Sequence, residues 1–176
     1  MLPFVVRAPR RHQAATTLRF LLVCLLACSG ASAETPDDRK AVAHRVYDEI
    51  LSQGKFEVAD EIYASDFVNH GLSSDATLKQ DQEAARGWRA AAPDLRTTVQ
   101  MMLAEGELVT VLWVGEGTNT GVGNGLPATG KRVRARGITI FRISGGRIRE
   151  EWSEFDMGGL LLRLGLLVPA APAGSP

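Results

Sequence analysis

The chain has 176 residues with 20 basic and 20 acidic side chains, so its formal charge is zero. The balance is uneven: every acidic residue lies at or after Glu34, whereas Arg7, Arg10, Arg11 and Arg19 precede it, leaving residues 34–176 with four more acidic than basic side chains and a charge of −4. A mildly acidic segment of about 143 residues lacks the basic footprint of a nucleic-acid or anionic-lipid binder and is long enough to bury one core.

Residues 1–33 have the layout of a secretory signal peptide. Four arginines precede the short apolar run Phe20–Cys28, and Ala31, Ser32 and Ala33 offer small residues for cleavage after Ala33. The run is short for a membrane span. A competing route reads Leu25–Cys28 as a lipobox, with Cys28 lipidated and anchoring the protein. Cys24 and Cys28 are the two cysteines, so an exported domain would hold together without a disulfide. Destination is therefore expected to be secreted or periplasmic, and residues 169–176 read as a disordered tail.

From Glu34 onward the first signal is a helix start: Thr35 as N-cap, Pro36 in the first turn and Asp38 completing a capping box. The apolar stripe Val42, Val46 and Ile50, with Ala43 and Tyr47 beside it, predicts a helix running to Gly54. A shorter helical pattern covers Lys55–Ala64, and Ser65–Gly71 reads as extended or turn. A third helix is expected over Asp75–Ala92, stopped by Pro93. The period then changes. Leu95–Glu105, Leu108–Thr118, Lys131–Ile143 and Arg147–Asp156 read as strands, with a tight hairpin at Ser144–Arg147 because paired glycines accept positive φ. A short amphipathic segment, Gly158–Leu167, closes the domain. Helices followed by hairpin-linked strands predict an α+β fold on an antiparallel sheet, in one domain over residues 34–168.

No metal centre is expected: residues 34–176 hold no H-E-x-x-H motif, no paired-cysteine ligand set and no G-x-S-x-G elbow. His44 reads as a solvent-exposed helix residue. His70 follows the apolar pair Phe67 and Val68 where the chain leaves the helices, and two roles stay open: stabilising a turn, or serving a pocket as donor or proton shuttle. Trp88, Trp113 and Trp152, one on a helix and two on strands, suit either the core or the lining of a cavity between them.

The last strand carries the sharpest pattern. Strand alternation puts Glu150, Trp152, Glu154 and Asp156 on one face and Glu151, Ser153 and Phe155 on the other. Glu150 and Glu151 read as surface charges paired with the arginines of a neighbouring strand, and Glu154 as pocket rim or surface. Asp156, at the strand end beside the leucines, has two readings: a helix N-cap, or a carboxyl in apolar surroundings whose raised proton affinity suits acid–base work.

Several stretches together resemble the SnoaL-like polyketide cyclase, or ester cyclase, family of the nuclear-transport-factor-2-like superfamily. They are VYDEILSQGKFEVADEIYASDFVNHG, APDLRTTVQ, GEGTNTG, GLPATGKRVRARGITIFRISGGRIREEW and FDMGGLLLRLG, spanning roughly Lys40 to Gly165. The resemblance implies a cone-shaped fold with helices closing a strongly curved antiparallel sheet around an apolar pocket. It implies Asp156 as the general acid/base, removing an activated α-proton so that the enolate closes a ring in an aldol step, with no cofactor and no metal. His70 matches a position often held by histidine and would join Asp156, with Trp88, Trp113, Asn119, Trp152 and Glu154 in contact with substrate. Asn119 stands where relatives often carry a histidine, and the leader places the protein away from cytoplasmic polyketide assembly. Both departures point to another small hydrophobic molecule as substrate.

Three functions follow as expectations. The first is a cofactor-free cyclase or isomerase acting on a small hydrophobic carbonyl compound. The second is a non-catalytic module holding a hydrophobic ligand, and the third a relative that hydrolyses an epoxide or ester. No nucleic-acid partner is expected. The mixed surface of Arg132–Arg142 is suited to a homodimer.

Overall fold

The computed structural model describes residues 34–168, so the expected leader over residues 1–33 and the expected tail over residues 169–176 lie outside the described residues. Helix α1 (Pro36–Arg45) starts as its sequence predicts: Asp38 N reaches the Thr35 hydroxyl, and Thr35 N donates to Asp38 Oδ2 at 2.9 Å. The expected helix to Gly54 does not stay α-helical. From Val46 to Ser52 it widens into π-type winding, and Thr97 on a later strand ties that stretch down. The Thr97 hydroxyl donates to Tyr47 O at 2.6 Å and Thr97 N donates to the Ser52 hydroxyl at 2.8 Å. Arg89 and Arg96 donate to Ser52 O at 2.9 and 2.6 Å, satisfying a carbonyl at the end of this stretch.

A 3₁₀ turn (Phe56–Val58) leads into α2 (Ala59–Ile62), β1 (Tyr63–Asn69) and the short β2 (Ala76–Thr77). Helix α3 (Leu78–Ala91) begins where Gln80 folds back onto Thr77 N at 2.9 Å. Then come β3 (Arg96–Glu105), β4 (Leu108–Thr118), β5 (Arg132–Ser144), β6 (Arg147–Phe155) and α4 (Met157–Leu164). The turn between β5 and β6 has Gly145 and Gly146 at φ 61° and 71°, as the paired glycines predict.

The six strands form one sheet in the order β2-β1-β6-β5-β4-β3. All neighbours are antiparallel except β1 and β6, which run parallel. The sheet is therefore mixed, not wholly antiparallel. The difference has a simple cause: β1 comes after the helices, and the chain crosses over through α3 and the β3–β5 meander before β6 returns beside it.

The main core lies between the α1 segment and the middle of the sheet. Tyr47 and Ile50 from the helix meet Val109, Val111, Phe141, Ile143 and Ile148 from the strands, each almost wholly buried. Burying side chains of this size contributes roughly 1.5–3 kcal/mol apiece and fixes the helices over one face of the sheet. A smaller cluster, Leu126, Leu160 and Leu164 with Trp88 and Phe155 against it, holds α4 and the β4–β5 loop over the other end. Between the two clusters the inner face is not filled. Gly137 on β5 lies beneath that wall: a Cβ there would collide with the Trp113 ring and sit 2.8 Å from Phe155 Cβ, so the strand has room only for glycine at this point.

Candidate active-site cavity

The unfilled space is a cavity of about 520 Å³ between the inner sheet face and helices α3 and α4. What enters it is decided by one irregularity in β6. Arg142 pairs with Glu150 and Ile143 with Ile148, which leaves Arg149 without a partner: a β-bulge. Ile148 is fully buried on the inner face. Counting on by twos would turn Glu150, Trp152 and Glu154 inward as well. The extra residue reverses this, and Glu151, Ser153 and Phe155 line the cavity instead. The two faces fall as alternation predicts, but the functional one is the face opposite Asp156.

Glu151 is 9% exposed, and among the described residues nothing donates to its carboxyl. Burial, with the charge of Asp81 added, pushes its proton affinity well above the ordinary carboxylate range. Its neighbour across the β1–β6 ladder is Asn69. Asn69 Nδ2 donates to Asp81 Oδ1 at 2.8 Å, and Gln82 Nε2 to Asp81 Oδ2 at 3.2 Å, bringing this α3 carboxyl to the same end of the cavity. Burial raises Asp81 too, while its two amide donors favour the ionised form and hold the rise back. The pair is therefore unequal: Asp81 ionises first and Glu151 keeps its proton longer.

Phenols complete this end. Burial pushes the Tyr63 hydroxyl up, and the Tyr47 hydroxyl is likewise raised and has no hydrogen-bond partner among the described residues. Thr139, next to it, accepts from Trp113 Nε1 at 3.0 Å and shares a 2.8 Å hydrogen bond with Ser153. Trp113 thus stands against the wall between Tyr47 and Phe155, with ring centroids 6.3 Å from each. Trp88 on α3 meets Phe155 edge-on at 5.5 Å. Trp88 and Trp113 both line the cavity.

The other predicted site residues are placed differently. Asp156 caps α4: its Oδ1 accepts from Gly159 N at 2.8 Å and its Oδ2 pairs with Arg163 at 3.1 Å on the exposed surface. These contacts, the Gly159 amide first and Arg163 next, lower its proton affinity, the reverse of what an apolar surround would do. It does not line the cavity. The N-cap alternative wins because β6 ends at Phe155 and the first amides of α4 claim the carboxylate.

Trp152 lies in a separate shallow cleft on the outer sheet face, beside Ile138 and Ile140. His70 stacks on it at 4.6 Å and reaches Glu150 and Asp75 at 3.3 and 3.4 Å, so its ring joins carboxylates unrelated to Asp156. His70 borders both spaces. Glu154 is exposed at the rim they share. Asn119 touches the cavity wall, but its amide is spent internally: Nδ2 donates to Ala91 O and Gly121 O, and Oδ1 accepts from Thr129 N at 2.9 Å. It knots the β4–β5 loop and offers no group to a ligand. Among the described residues no three His, Cys, Asp or Glu side chains converge to hold a metal ion.

The profile of the SnoaL-like polyketide cyclases matches residues 41–164, and the chain belongs to that family. Solved structures agree on the fold. The chain is similar to AclR of Streptomyces galilaeus, assigned as a hydroxylase (24% identity, TM-score 0.70, covering 76% of this chain and all of AclR). It is similar to IdmH of Streptomyces antibioticus, assigned as a polyketide cyclase (26%, 0.64, covering 72% and 98%). A SnoaL-like polyketide cyclase of Jannaschia shares the fold as well (20%, 0.69, covering 80% and 97%). No curated protein matches the sequence.

Burial of Glu151 has a consequence for stability. Its folded-state proton affinity exceeds that of the unfolded chain, so its contribution is present at low pH and is lost as pH rises through the raised value. Asp81 has the same sign. Urea denaturation across a pH series should show stability falling as pH rises above the unfolded carboxylate range. Glu151→Gln should flatten that fall and leave the variant more stable at alkaline pH, on the order of 1 kcal/mol or more. Parallel curves for the two proteins would contradict the burial of an ionisable Glu151.

Proposed function

We propose that the cavity carries out cofactor-independent acid–base chemistry on a small, mainly apolar carbonyl compound, with Asp81 as base and Glu151 as acid. One observation carries this reading: two carboxyls of unequal proton affinity meet at the polar end of an otherwise apolar, aromatic-walled cavity. Asp81 in its ionised form takes a proton from the carbon next to the carbonyl. The released electron pair moves into the carbonyl, and the growing enolate oxygen takes a hydrogen bond or the proton from Glu151. The enol carbon then attacks a second carbonyl of the same molecule, closing a ring: the new alkoxide takes the proton held by Asp81 and the enol oxygen returns its own to Glu151, whereas in an isomerisation Asp81 gives its proton back at another carbon. The aromatic walls position the flat enol and keep water from competing for its oxygen.

This assigns the chemical role expected of Asp156 to a different pair of residues. Exchange of the α-hydrogens of 2-tetralone in heavy water, followed by proton NMR, tests the assignment. The protein should accelerate exchange, and the rate should rise with pH as Asp81 ionises above the ordinary carboxylate range. Asp81→Asn or Glu151→Gln should lower it by roughly 10²–10⁴-fold, and Asp156→Asn should leave it unchanged. A rate that survives both cavity substitutions would reject the pair, and no acceleration by the wild-type protein would favour a ligand carrier.

The proposal also places this chemistry outside the cytoplasm in a homodimer. The arginine-led apolar run before Ala33 supports export, and the exposed Met101, Leu103 and Ile138 side chains on the outer sheet face support pairing of two copies. Intact mass and light scattering of protein recovered from the cell envelope test both. A chain beginning at Glu34 and twice the monomer mass agree with them; a retained Met1 or a monomer contradicts the corresponding half, and a lipidated Cys28 identifies the anchored route.

A further inference from the structure

The charges around the cavity are one-sided. Asp81, Glu116, Glu151 and Glu154 line it or its rim, and neither lysine nor arginine is among the lining residues. Glu116 finds its own cation, Arg134 at 2.9 Å, at the mouth. Deeper in, Asp81 is satisfied only by neutral amides from Asn69 and Gln82, which supply hydrogen bonds and no compensating charge. Glu151, nine-tenths buried and facing the cavity, receives no donor from any described residue. A buried carboxyl without a donor or counter-charge is costly, and the structure supplies neither. Arginines that reach cavity-lining segments are held on backbone carbonyls: Arg89 on Leu51, Ser52 and Pro93, Arg96 on Ser52, and Arg147 on Asp60 and Tyr63. Tyr47 and Tyr63 stand close enough to Glu151 to feel its charge, and the rings of Trp88, Trp113 and Phe155 line the rest of the cavity, where aromatic faces attract a cation and tolerate an apolar frame equally well.

We infer that the molecule taken by this cavity carries a protonated amine on an aromatic or alicyclic frame, its ammonium group lodging between Asp81 and Glu151, and that carboxylate- or phosphate-bearing molecules are rejected. The inference rests on the same cavity as the proposed acid–base reading and names a ligand class for it: an amine seated on both carboxyls occupies the base and ionises the acid, so it is held as a ligand and competes with the carbonyl compound for the site. An ammonium group donates to both carboxyls and restores the missing charge. Its entry favours ionisation of Glu151, so binding at a pH where Glu151 still holds its proton releases that proton to solvent. An anion would face two carboxyls with neither lysine nor arginine in the lining to offset them, and the lining histidine, His70, is already engaged by Glu150 and Asp75.

Three matched naphthalene probes test it by isothermal titration calorimetry with the full domain: 1-naphthylmethylamine, 1-naphthalenemethanol and 1-naphthoate. The amine should bind about tenfold or more tightly than the alcohol, and the carboxylate more weakly than either, because a charge-assisted hydrogen bond is worth more than a neutral one. Repeating the titration in buffers of different ionisation enthalpy should show proton release with the amine and none with the alcohol. Glu151→Gln and Asp81→Asn should each bring the amine-to-alcohol affinity ratio towards one, with far-UV circular dichroism showing that the variants fold. Equal binding of amine and alcohol, preference for the carboxylate, or no binding by the wild-type protein would each overturn the inference. The measurement needs no turnover. An amine preference without α-hydrogen exchange would leave this inference standing and remove the acid–base reading, and exchange without an amine preference would do the opposite.

Discussion

The arrangement of the cavity depends on a single extra residue in the last strand. With Arg149 bulged out of the ladder, β6 changes which of its faces looks inward between Ile148 and Glu151. Before the bulge the strand gives an isoleucine to the core. After it the strand gives Glu151, Ser153 and Phe155 to the cavity, and turns Trp152 out beside His70. Without the bulge, Glu150 and Trp152 would face inward and Glu151 would lie among the outer arginines. Arg149, freed from the ladder, reaches Asp66 at 3.2 Å on the surface, so the bulge leaves no buried polar side chain behind it.

The rest of the site follows from where charge is placed and where it is withheld. The protein spends its cations on backbone carbonyls and surface carboxylates: Arg89 and Arg96 on the end of the widened helix, Arg163 on Asp156, Arg134 on Glu116. Inside, only amides reach Asp81, and Glu151 is left without a donor among the described residues. That difference in hydrogen bonding separates two otherwise similar carboxyls into a readier base and a more persistent acid. The widened helical stretch contributes by carrying Tyr47 to the same end, against Trp113 and Phe141.

Local signals were readable in the sequence, and long-range ones were not. Thr35, Pro36 and Asp38 announce α1 because a capping box involves only neighbours within one turn. The Gly145–Gly146 hairpin is similarly local. The family resemblance implies the helix-covered sheet, whereas the placing of Trp88 and Trp113 on a helix and a strand leaves core and cavity lining both open. The partition of the last strand into two faces was also visible, but a bulge depends on the partner strand's register, and nothing between Ile148 and Glu151 marks it. Asp81 and Glu151 are joined only through Asn69 and the β1–β6 pairing, a tertiary link with no local trace. Asp156 shows the reverse weakness: both of its readings were open, and the short-range one, with Gly159 and Arg163 three and seven residues away, prevailed.

The central claim is that Glu151 is a buried carboxyl that holds its proton where ordinary glutamates have lost theirs. Carbon-detected NMR of side-chain carboxyls in protein labelled at glutamate measures this directly over a pH titration. The account predicts one glutamate with a midpoint well above the ordinary value of 4.5, absent from the Glu151→Gln spectrum. If every glutamate of the domain titrates in the ordinary range, or if the displaced resonance survives that substitution, the account is contradicted.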